Sequence, residues 1–147
     1  MFGFQWAAPI IIAVWWFFVP GAGNGGWAMV LMLFVAPVVL LMLLVPAVIV
    51  VCRPTNRRAR STSAVYGWAA PALWLIALVP PAFLEGASDM TSYPSLGQLV
   101  FGLSSTGASW VVWIGLPLFL VAWVAAVVAS ALPTARADAG RAESDPS

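Results

Sequence analysis

"WAMVLMLFVAPVVLLMLLVPAVIVVC", residues 27–52, carries no charge, and its polar side-chain groups are one indole and one thiol. It is apolar on every face and shows no period of two, which argues for a helix and against an alternating membrane strand. At 1.5 Å per residue the run is about 39 Å long, against a hydrocarbon core of about 30 Å. It must therefore tilt or bend, and Pro37 and Pro46 are the expected bending points.

Three further runs share this character. The first, residues 4–19, is short and closed by Pro20 and Gly21; the third, residues 66–84, holds Pro71 and is expected to stop at the Pro80-Pro81 pair; the fourth, residues 110–132, holds Pro117. With 63% hydrophobic and 7% charged residues in 147, the composition lies far from soluble usage, in which about a quarter of residues are charged. At that depth the backbone can pair only within its own segment. The expected fold is all-α: a polytopic membrane protein with one domain of four transmembrane helices over residues 1–132. The opening "MFGFQW" lacks the cationic region of a signal peptide, so the first run reads as a retained span.

Orientation follows from charge. All six cationic residues are arginines, and Arg53, Arg57, Arg58 and Arg60 fall in "CRPTNRRAR", which opens the connection between the second and third runs. Loops rich in arginine stay in the cytoplasm, which places the 53–65 loop inside. Two more crossings return Arg136 and Arg141 to the same side, so both termini are expected inside; "GAGNGG" and residues 85–109, outside, carry no cation. Trp6 and Trp68 then mark the inner interface, and Trp15, Trp16, Trp27 and Trp110 the outer one. Trp74 and Trp123 sit deeper and are expected to pack between helices. Arginine without lysine, with heavy use of Ala, Val, Gly and Pro, points to a GC-rich bacterial genome and hence to the bacterial cell membrane.

The 85–109 connection is long enough to have structure of its own. "PSLGQLVFGL" begins with a proline and spaces Leu96, Leu99, Val100 and Leu103 at i, i+3, i+4 and i+7, the pattern of a short helix lying on the outer interface. Beyond residue 132 the chain turns small and polar, "PTARADAGRAESDPS", and residues 133–147 are expected to form a disordered cytoplasmic tail. "WAAP" occurs at residues 6–9 and 68–71, at the inner ends of the first and third runs; this is the mark a duplicated two-helix hairpin would leave, and also about what chance supplies in so restricted a composition.

The same residues exclude chemistries. A net charge of +1 gives nucleic acid nothing to bind. Spans two to four contain no ionisable group of the kind that marks pumps, proton-coupled transporters and voltage sensors. The chain has no histidine and no lysine, so neither the common zinc sets nor a Ser-His or Ser-Lys nucleophile can form. An outward site would have to draw on Glu85 and Asp89, which would share a face if helical, and on the hydroxyls of "GLSSTGAS", residues 102–109, which read as a flexible loop leading to Trp110. Two carboxylates underfill a calcium site, and the expectation is a protein that is not an enzyme and has no cofactor.

Two positive features remain. Arg53, Arg57, Arg58 and Arg60 are placed to meet anionic lipid headgroups as well as to set topology. Ala122, Ala126 and Ser130 form a small-residue stripe on the fourth span, with Ala125 and Ala129 beside it, which lets another helix approach closely. The reading is a small scaffold or accessory subunit that packs in the bilayer against a larger membrane protein or a second copy of itself. The competing reading is a small pore, holin-like permeability factor or exporter of hydrophobic molecules, which would need a polar lining that the runs do not supply.

Overall fold

A backbone that cannot reach water pairs its N–H and C=O groups along its own axis, and the described chain is mostly helix. The computed structural model describes residues 4–20, 26–53, 63–87 and 92–132. In chain order these form α1 (Phe4–Phe18), α2 (Gly26–Cys52), α3 (Ala64–Phe83), β1 (Gly86–Ala87), β2 (Ser92–Tyr93), α4 (Leu96–Phe101) and α5 (Ser105–Ala131). Three helices, Met29–Cys52, Ala64–Phe83 and Ser105–Ala131, are long and apolar enough to cross a membrane. α1 is apolar but has 15 residues, about 22 Å of helix, which falls short of a hydrocarbon core of about 30 Å.

The long helices alternate in direction. α1 ends beside the end of α3, where Trp16 reaches Ala77, and α5 runs antiparallel to α3, its Gly115 beside Pro80 and its Ala129 beside Ser63. α2 runs with α5, since Met42 lies opposite Trp123 and Val50 clusters with Ala129. Arg53, Ser63 and Leu132, which flank the arginine-bearing stretches of sequence, therefore lie at one end of the bundle. The core draws on the four longest helices: Ile12 and Trp16 from α1, Met32, Ala36, Val39 and Leu43 from α2, Leu73 and Ala77 from α3, Phe119 and Ala126 from α5. The most extensive contact is between α3 and α5.

Two boundaries differ from the sequence expectation. α5 begins at Ser105, five residues before Trp110, because Ser104 caps it by accepting a hydrogen bond from the Gly107 N–H at 3.2 Å. Residues 105–109 of the expected loop are thus the first turns of a helix. α3 does not stop at Pro80-Pro81 but continues to Phe83. A proline inside a helix removes one N–H and leaves the carbonyl four residues earlier without its donor, at about 3 kcal/mol in water. The Trp16 indole donates to the Ala77 carbonyl at 2.7 Å, the carbonyl that Pro81 leaves free, and Trp15 donates to Leu78 at 3.0 Å.

The same solution recurs. Pro46 frees the Met42 carbonyl in α2, and Trp123 of α5 donates to it at 2.7 Å. At the end of α5 the Ala129 carbonyl accepts from the Leu132 N–H and also from the Ser63 hydroxyl at 3.2 Å, which in turn accepts from the Tyr66 N–H. Proline tolerance in membrane helices depends on such donors from neighbouring segments. Here they also join one helix to another. Trp15 and Trp16 are accordingly engaged within the bundle: Trp16 is buried, with its ring 6.3 Å from that of Phe119, and both indoles are tied to α3.

The third connection contains a two-residue antiparallel ladder, Gly86 opposite Tyr93 and Ala87 opposite Ser92, followed by α4. Helix α4 covers six residues of the ten that the pattern suggested. It stops where Gly102 takes φ 65°, a left-handed conformation suited to glycine, and returns its N–H to the Gln98 carbonyl.

Candidate functional site

The polar residues of the third connection serve as structural fastenings. Ser95 and Gln98 make a capping box: the Gln98 N–H donates to Ser95 Oγ at 3.3 Å, and the Ser95 N–H donates to Gln98 Oε1 at 2.6 Å. The remaining Gln98 amide donates from Nε2 to Glu85 Oε1 at 2.7 Å. The start of α4 is thereby fixed to the end of α3, and the rings of Phe83 and Phe101 stack at 6.1 Å beside it. Glu85 follows the last turn of α3 and leads into β1, so it does not itself stand on a helix. Asp89 and Thr91 lie outside the described residues, as do residues 133–147. Ser104, the first serine of the hydroxyl run, is a helix cap, while Ser105, Thr106 and Ser109 are exposed in the first turns of α5. Among the described residues no three of Cys, Asp and Glu come together to hold a metal.

Arg53 is half-buried at the end of α2, and Arg57, Arg58 and Arg60 lie outside the described residues. In the small-residue stripe, Ala126 and Ser130 are buried and Ala122 is half-buried, whereas Ala125 beside them is exposed. Ala129 packs with Tyr66 and Ala70 of α3 and Val50 of α2. Ser130 donates to the Val127 carbonyl one turn back at 2.6 Å. The stripe faces the chain's own bundle, which leaves the opposite side of α5 outward.

Sequence reasoning passed over Gln5. This side chain is 4% exposed, and among the described residues its Nε2 is the one buried side-chain nitrogen or oxygen without a hydrogen-bond partner. The signal was present: a lone amide within an otherwise apolar run is itself unusual. Ser63, Ser95 and Ser130, the other buried polar side chains among the described residues, are each engaged in a cap or on a helix carbonyl. Comparison of the chain with protein-family models, with curated proteins and with solved structures finds no match in any of the three.

Proposed function

We propose that the chain is a small non-enzymatic protein of the bacterial cytoplasmic membrane, and that it acts by packing the outward face of α5 against a helix of a second membrane protein. In this reading it crosses four times with both termini inside, the short α1 being accommodated by local thinning of the bilayer. The arginines of the 53–65 connection hold that end at the cytoplasmic headgroups.

One observation carries the reading. Trp110, Ile114, Pro117, Val121, Val124 and Val128 are all exposed and follow one another at spacings of four, three, four, three and four along α5. That is the 3.5-residue repeat of a helix-packing seam. Four of the six are β-branched and so have little rotamer freedom to lose on docking. In α2 and α3, 33% of the most apolar window is buried within the bundle, against 11% in α5. The last helix has the most surface to offer.

The test is a tagged pull-down from native membranes in mild detergent, with stoichiometry, on wild type and on the Val121→Trp/Val124→Trp double variant. A stoichiometric membrane partner that the variant loses supports the reading. A monomer in both preparations overturns it. A defined homo-oligomer that also releases dye from liposomes replaces it with the pore or exporter reading.

A further inference from the structure

An amide nitrogen buried without a partner costs a few kcal/mol, and native structures keep few of them. Gln5 Nε2 is such a group, and the Gln5 residue forms part of the wall of a trough of about 480 Å³ between α1 and α3. The polar side-chain atoms of the trough belong to Gln5, Tyr66 and Trp74; the rest of the lining is aliphatic or aromatic, including Ile11, Pro71 and Leu75. Along α3 it runs from Tyr66 to Leu78, roughly 18 Å of helix.

Position selects the occupant. Ile11 and Leu75 are 61% and 67% exposed, so the trough opens sideways to the surrounding lipid. Gln5 lies in the first turn of α1, at the end of the bundle that carries Arg53. In a membrane-spanning bundle that is the depth of the boundary between headgroup and acyl chain, where arginines attract an anionic head.

We propose that the trough is a lipid site. It holds one acyl chain of an anionic diacyl glycerophospholipid along α3, and the Gln5 side chain turns toward the trough so that an ester carbonyl of that lipid accepts a hydrogen bond from its Nε2. The lipid supplies the acceptor that the folded chain does not, and the arginine-bearing end faces its phosphate. This inference does not depend on the seam of α5.

The experiment uses the full chain in mild detergent, supplied with phosphatidylglycerol carrying ester-linked chains or with its diether analogue, which lacks the carbonyls. Native mass spectrometry counts bound lipid for wild type, Gln5→Leu and Leu75→Trp. Wild type is expected to bind one ester lipid saturably and the diether about fivefold more weakly, the size of one hydrogen bond. Gln5→Leu binds both at the weaker level and loses the discrimination, and Leu75→Trp, which fills the trough from its rim, lowers binding at least about tenfold. Equal binding of ester and diether lipids by wild type, unchanged binding by Leu75→Trp, or no saturable binding each overturns the proposal. Gln5→Leu removes an unpaired amide and is expected to keep the helical far-UV circular dichroism. If it does not, the two lipids on wild type and the Leu75→Trp variant decide the matter.

Discussion

Helix α3 meets α5 on one side and α1 on the other, and the two contacts are built differently. Toward α5, Ala77 is fully buried, a Cβ on Gly115 would come within 3.3 Å of Pro80, and Ala126 has no exposed surface. Small residues let the backbones approach, and the Ser63 hydroxyl closes the end of the seam on the Ala129 carbonyl. Toward α1, contact is tight at the Trp15 and Trp16 end, where both indoles hold α3, and open at the other end, where the Trp74 and Tyr66 rings border a trough and Gln5 has no partner. Closure follows from what each side chain finds to bond or fill: small residues let α3 and α5 meet, the Trp15 and Trp16 indoles tie α1 to α3 carbonyls, and beside Gln5, which has no partner, space remains.

The comparison can be broken most severely on its closed side. Ala126→Leu inserts three carbons where no space exists and is expected to lower stability by about 1–3 kcal/mol, measured by SDS-titrated unfolding in mixed micelles. The control is Ile11→Ala on the rim of the open side, where a residue 61% exposed should change stability by less than about 0.5 kcal/mol. Equal losses at the two sites would show that the sides do not differ. A smaller effect is expected from Ser63→Ala, which removes both the cap of α3 and the bond to Ala129, at about 1–2 kcal/mol in the same assay. An unchanged midpoint would mean that the hydroxyl does not hold the end of the seam.

Much of this was legible in the sequence, and the exceptions have physical causes. The 27–52 run appears as α2 almost residue for residue, because continuous apolar character leaves the backbone one way to pair. Phe4–Phe18 was legible as a helix, but its 15 residues do not reach the length of a span. The end of α3 was misjudged because proline is read as a local stop, while the donor that lets the helix pass Pro81 comes from Trp16, some sixty residues earlier. The start of α5 was misjudged because Ser104 looks like loop until its hydroxyl is seen on the Gly107 N–H. The Ala122, Ala126 and Ser130 stripe was readable as a packing face, but which helix it meets is a property of the assembled bundle. Gln5 was missed because a neutral amide weighs little in a hydropathy reading; its lack of a partner is visible only in three dimensions.

The idea that ties the bundle together is that side chains of one helix satisfy carbonyls freed by prolines in another, and it is tested most directly by a double-mutant cycle on Trp123 and Pro46. Trp123→Phe alone should lower stability by about 1 kcal/mol, since the Met42 carbonyl loses its donor. In a Pro46→Ala background the new backbone N–H at position 46 can pair with Met42, and the same Trp123→Phe change should then cost less than about half as much. If Trp123→Phe costs the same in both backgrounds, the indole is there for its bulk alone, and the proline-freed carbonyl does not explain how these helices are joined.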